Sequence, residues 1–110
     1  MSAISTHVLD TILGKPAAGI PVTLEVQAND TWAAIAQSAT DSDGRCRNLI
    51  VNAAPGLYRL RFGTAAYFAQ QQRISIYPEI VITFQCAAGE SHYHLPLLLS
   101  DNSYTTYRGS

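Results

Sequence analysis

A chain of 110 residues that is 47% hydrophobic and 14% charged has enough apolar material for one core and too little charge to stay disordered. Its net charge of −1 builds neither the basic stripe that nucleic acid requires nor a polybasic membrane patch, so neither partner is expected. The low charged fraction points to apolar surface covered between subunits, and six of the seven basic residues are arginine, the forked donor suited to carboxylates and heterocycle carbonyls.

Along the chain, short β-type runs alternate with turn signals. The opening MSAISTHVLDTILGKPA lacks the regions of an export signal, and no window approaches the roughly 18 apolar residues of a membrane span. A soluble, cytoplasmic protein is expected, with peroxisomal and periplasmic placement left open. Residues 4–9 read as a first strand closed by Gly14-Lys15-Pro16. Residues 21–28 alternate, with Val22, Leu24, Val26 and Ala28 on one face and Thr23, Glu25 and Gln27 on the other. Asn29-Asp30 turns the chain into a strand over 32–39, and the strong turn Asp41-Ser42-Asp43-Gly44 precedes a short strand over 46–50.

Ala54-Pro55-Gly56 leads into a strand over 57–62, with Tyr58, Leu60 and Phe62 on one face. Residues 64–72 are the one helical segment, with Thr64 as its expected N-cap. A strand over 80–86 follows, then a turn at Gly89-Glu90 and a final hairpin of residues 92–100 and 104–108. Pro96 lacks an N–H and predicts either an edge strand or a local irregularity. Cys46 and Cys86 read as free thiols in a reducing compartment, with a single structural disulfide as the alternative. The pattern predicts an all-β fold, a two-sheet antiparallel β-sandwich of about eight strands with one short helix, over a single domain spanning residues 1–110.

Period two also places the histidines. Tyr93, Leu95, Leu97 and Leu99 share the core face, which turns His92 and His94 outward; Ile4, Thr6 and Val8 do the same for His7. Any one of these is ordinarily a surface histidine, but all three share an orientation. A three-histidine zinc site is geometrically conceivable, yet no carboxylate is placed to orient the ligands. There is no G-x-S-x-G elbow and no context that activates a cysteine.

The segments STHVLD, GKPAAGIPVTL, TDSDGRC, HYHLPLLLS and the closing YRGS resemble those of 5-hydroxyisourate hydrolases, the enzymatic relatives of the hormone carrier transthyretin. The resemblance runs from Ser5 to the last residue. It implies a transthyretin-like hydroxyisourate hydrolase domain and a homotetramer, a dimer of dimers whose channel holds the active sites. By this match His7, Arg45 and His94 are active-site residues, with His92 a neighbour on the same face. Tyr107 contacts substrate, and Ser110 ends the tetrapeptide needed for activity. Arg108 either touches substrate or fixes the tail. No cofactor and no metal are implied.

Departures are confined to the turn Asp101-Asn102-Ser103 and to apolar Ile12-Leu13, away from the matched residues. The implied substrate is 5-hydroxyisourate, whose lactam opens to 2-oxo-4-hydroxy-4-carboxy-5-ureidoimidazoline. That reaction needs an activated water, a donor for the developing oxyanion and a hold on the ring. His7 and His94 suit proton transfer, and Arg45 suits the oxyanion or the ring. Two other readings are a transthyretin-type carrier and a non-enzymatic interaction module. The carrier has lysine and glutamate in place of His7 and Arg45 and lacks YRGS.

Overall fold

Alternating apolar and polar residues give each strand one face to bury, and here two such faces close on one another. The computed structural model describes residues 1–110. Its elements are β1 (Ser2–Asp10), β2 (Lys15–Pro16), β3 (Pro21–Ala28), β4 (Thr31–Ala39), β5 (Arg45–Ala53), β6 (Gly56–Phe62), α1 (Ala65–Ala69), β7 (Ile80–Cys86), β8 (His92–Leu99) and β9 (Tyr104–Thr106). One sheet has the order β4-β3-β6-β7 and is antiparallel throughout. In the other, β2 and β5 pair with one edge of β1, while β8 runs along its opposite edge and then meets β9.

The core is a cluster of 19 buried residues drawn from both sheets, with Ile4, Val8, Leu97, Leu24, Leu60 and Phe62 fully enclosed. Each such side chain contributes on the order of 1.5–3 kcal/mol by leaving water. The Asn29-Asp30 hairpin has φ of 54° and 64°, the left-handed pair that a two-residue connection between twisted strands requires.

The sandwich follows the sequence pattern, with three differences in detail. First, β1 and β8 are parallel, aligned from Ala3 beside His92 to Asp10 beside Leu99. Alternation reports which face a residue takes and carries no information on strand direction. Second, the helix spans only Ala65–Ala69, and Thr64 makes no side-chain cap; its buried hydroxyl donates to the Tyr77 carbonyl at 3.0 Å instead. Third, β5 begins earlier and ends later than residues 46–50.

Of the two readings of Pro96 the local irregularity holds, since β8 lies between β1 and β9 and is no edge strand. Pro96 interrupts its pairing with the following chain. Leu97 faces Thr106 and Leu99 faces Tyr104, the ladder lapses, and Gly109 then meets His94 in the unshifted register. That register sets Tyr107 opposite Pro96, whose nitrogen has no hydrogen to donate. The Pro96 carbonyl is taken by the Thr106 hydroxyl at 2.8 Å.

A buried ionic cluster closes one end of the sandwich. The Asp10 side chain is wholly inaccessible; Arg73 donates to it at 2.6 Å and the Tyr67 hydroxyl at 2.7 Å. Backbone amides of Ile12 and Leu13 also donate to it, and Arg73 reaches on to Asp101. Burial pushes the Asp10 carboxyl up, but these hydrogen bonds outweigh it and hold the group below its ordinary value. One side chain thereby joins β1, the segment after α1 and the β8–β9 turn.

Candidate functional site

The outer face of the five-stranded sheet carries all three histidines. Parallel register sets Ser5 beside His94 and Ala3 beside His92, and across the other edge of β1 His7 pairs with Arg45. Three strands thus bring residues from the start, middle and end of the chain into one row.

The turn before β5 sets two of these groups. Asp41 Oδ1 accepts the amides of Asp43 at 2.8 Å and Arg45 at 3.0 Å, an Asx turn that fixes where Arg45 enters the strand. Gly44 has φ of 77°, and a Cβ there would fall 2.3 Å from the Val8 carbonyl oxygen, so glycine is required. In the same turn the Asp43 carbonyl lies 2.8 Å from His7 Nε2. A carbonyl only accepts, so His7 carries its hydrogen on Nε2 and turns Nδ1 elsewhere.

Past Arg45, β5 departs from regular pairing. Thr6 faces Cys46 but Ile4 faces Ile50, so two extra residues bulge from β5 between them. Arg47 and Asn48 stand in this bulge and join Ser5, Thr6, Arg45, His92, His94 and Ser110 in lining a groove of about 310 Å³. None of the lining residues is apolar and none is acidic. Such a surface suits a small ligand rich in carbonyl groups or negative charge.

At the centre stands Ser5, nearly buried, with its hydroxyl 2.9 Å from His92 Nε2 and 2.8 Å from His94 Nδ1. The two imidazoles lie with centroids 6.1 Å apart and planes inclined by 26°. Burial, with the charges of His92, Arg45 and His7 adding to it, pushes the His94 pKa below the ordinary histidine value. His94 is therefore neutral near pH 7, the state required of a base. The Gly109 amide donates to the His94 carbonyl at 2.7 Å, which lays the tail along β8.

Of the residues singled out from sequence, Arg45, His92, His94 and Ser110 line the groove, and His7 flanks it beside Arg45. Tyr107 and Arg108 do not line it within one protomer. Tyr107 is 53% exposed. Arg108 donates to the His92 carbonyl at 3.2 Å, pairs with Glu90 at 3.3 Å and lies over the Tyr93 ring, contacts that hold the tail. Sequence reasoning missed Ser5, Arg47 and Asn48. Ser5 had a signal, since alternation puts it on the face of His7; the other two depend on the bulge, which leaves no mark in the residue pattern. Cys46 and Cys86 are buried and unpaired, and burial raises both thiols above their ordinary pKa, so neither is poised as a nucleophile.

The sequence model of the HIUase/Transthyretin family matches residues 4–109. A 5-hydroxyisourate hydrolase of Salmonella dublin is 43% identical over 97% of this chain and 80% of that protein. The mouse enzyme of the same name, from Mus musculus, is 41% identical over 99% of this chain and 96% of its own length. Among solved structures, 5-hydroxyisourate hydrolase from Klebsiella pneumoniae superposes with a TM-score of 0.89 at 36% identity, covering 100% of both chains. Transthyretin from Sparus aurata superposes with a TM-score of 0.92 at 32% identity, covering 99% of this chain and 97% of that one.

Proposed function

This chain belongs to the HIUase/Transthyretin family, and we infer from that membership that it is a 5-hydroxyisourate hydrolase acting in urate degradation, with the outer-face groove as its active site. The observation that carries the assignment of the site is the row His7–Arg45 and Ser5–His94 across three strands, with His94 held neutral in the field of Arg45.

In this reading water is deprotonated by a histidine, and its oxygen bonds to the lactam carbonyl carbon. The oxyanion that develops faces Arg45, whose charged N–H groups stabilise it. The carbon–nitrogen bond then breaks, the electron pair stays on the ring nitrogen, and that nitrogen takes the proton as the carboxylate forms. His94, kept unprotonated by burial, is available to take the proton, and His7 shares the proton transfers from beside Arg45. The leaving nitrogen belongs to an activated ring, so the chemistry asks for no metal. Ser110 closes the groove, and residues 1–110 act as one hydrolase domain.

The working assembly in this reading is a homotetramer, a dimer of dimers. Val51, Ile74, Ile76 and Tyr107 are each exposed in the protomer, apolar side chains of the kind that association with further copies would cover. Tyr107 would then reach the substrate of a groove completed between copies. Two buried unpaired cysteines support a reducing, cytoplasmic setting.

The carrier reading is favoured by the transthyretin-like fold. A groove without an apolar lining residue is a poor site for a hydrophobic ligand. The ultraviolet decay of freshly generated 5-hydroxyisourate, with and without the protein, tests the hydrolase. Equal decay in both samples would leave the carrier reading standing.

A further inference from the structure

We propose that Ser5 is a positioning residue for the reaction, fixing His94 in the tautomer whose Nε2 is free to take a proton from water. The proposal rests on the hydrolase reading given above and deepens it.

The argument starts from what a hydroxyl owns. Ser5 has one hydrogen, and its oxygen stands between two ring nitrogens, 2.9 Å from His92 Nε2 and 2.8 Å from His94 Nδ1. With both rings neutral, it can donate to one ring and must accept from the other. Only two arrangements satisfy all three groups. In the first, His94 Nδ1–H donates to Ser5 and Ser5 donates to His92 Nε2, so His94 Nε2 has no hydrogen and is a base. In the second, both hydrogen bonds are reversed and His94 Nε2 carries the hydrogen, leaving it unable to activate water.

The surroundings select the first. Ser5 is 5% exposed, so no competing solvent shell satisfies its oxygen. Titratable and charged groups face His94 from every neighbouring element: His92 on β8, His7 on β1 and Arg45 on β5. Arg45 and Arg47 line the groove with His94, so N–H groups already abound there and a lone pair on Nε2 is the complementary partner. His92 acts through Ser5 as the acceptor that draws the hydroxyl hydrogen away from His94. The tautomers of the two histidines are therefore set together, through the one hydroxyl they share.

The test uses the full chain labelled with ¹⁵N in its imidazoles. In the wild type, long-range ¹H–¹⁵N spectra are expected to show His94 protonated on Nδ1 and bare on Nε2. Ser5→Ala is expected to shift His94 toward the Nε2–H form that free imidazole side chains prefer. Turnover of 5-hydroxyisourate by this variant should fall about tenfold or more in kcat with KM little changed, part of the loss expected when a general base is misset. Ser5→Thr, which keeps the oxygen, should restore both tautomer and rate.

An Nε2–H tautomer on wild-type His94, or unchanged tautomer and kcat in Ser5→Ala, overturns the proposal. The spectra of the wild type need no variant to fold. They also decide the matter if the wild type fails to open the substrate, an outcome that sinks the hydrolase reading and leaves the tautomer measurement intact.

Discussion

Gly109 lies so close against His94 that a single added carbon would collide with the ring: a Cβ at residue 109 would stand 2.7 Å from His94 Cδ2 and 3.1 Å from Pro96 Cγ. Ser5 holds the opposite edge of the same imidazole, so the ring is confined from both sides. Gly109→Ala is therefore expected to displace His94 and lower kcat about tenfold or more, as misplaced acid–base groups do. The thermal midpoint should barely move, because the core lies beyond β8. A wild-type rate in this variant would show that the tail does not confine the ring.

His7→Ala, Arg45→Ala and His94→Ala should each fold normally and lose about two orders of magnitude or more in rate, the scale of an acid–base or oxyanion group. His92→Ala should cost less, since it acts at one remove. Initial rates on the four variants check this. Near-full activity in His94→Ala with loss in His92→Ala would reverse the assignment within HYH.

The pH dependence follows from His94. Its pKa is lowered by burial and by His92, Arg45 and His7, so it stays neutral at and above the ordinary value of about 6.5. The rate should fall only as pH drops below that value. Protonation also favours the unfolded chain, where the group is relieved of burial, so stability should decline over the same acid range. A proton NMR titration of the His94 ring alongside kcat/KM against pH gives both midpoints; a His94 midpoint above 6.5 counts against the account.

Away from the groove, Arg73→Met leaves the inaccessible Asp10 carboxylate without its guanidinium and should destabilise the fold by about 3 kcal/mol in urea denaturation. The rate at low temperature should persist, since neither residue lines the groove. Asp10 is held below its ordinary pKa, so its contribution is present above the unfolded value of about 3.9 and lost as pH falls through the lower folded value. The difference between wild type and variant should therefore shrink below about pH 4.

Assembly gives the remaining expectation. If copies complete one another's grooves, dilution to monomers should abolish turnover together with the change in size. Sizing chromatography with an inline rate assay checks this, and a fully active monomer would rule out a groove shared between subunits.

The strands were legible because period two and the turn residues are local. Residues 21–28 and 80–86 coincide with β3 and β7, and the outward direction of His92 and His94 follows from Tyr93 between them and from the inward leucines at 95, 97 and 99. Thr64 stands at the N-cap position its composition suggests, but its hydroxyl serves a partner 13 residues away in place of the helix amides. Asp10 with Arg73, and Ser5 with His94, escaped for a stronger version of that reason. Each pair is joined by strand order and direction, which no window of the sequence contains. Arg45 sits between these cases: its turn was plain, its membership of the site came from the resemblance, and its place beside His7 is set by the pairing of β1 with β5.

The parallel seam between β1 and β8 has a temporal consequence. Ser5 meets partners 87 and 89 residues further along the chain, and His94 is then bounded by Gly109. During synthesis the earlier strands can pair while these late residues are still inside the ribosome, yet the imidazole cluster cannot exist in any fragment that lacks them. Contacts of such sequence separation also form late and slowly, because the long loop must close before they return any energy. Chemical competence should thus arrive at the close of folding, after the four-stranded sheet is in place, and an interrupted product should be inert even where it is folded.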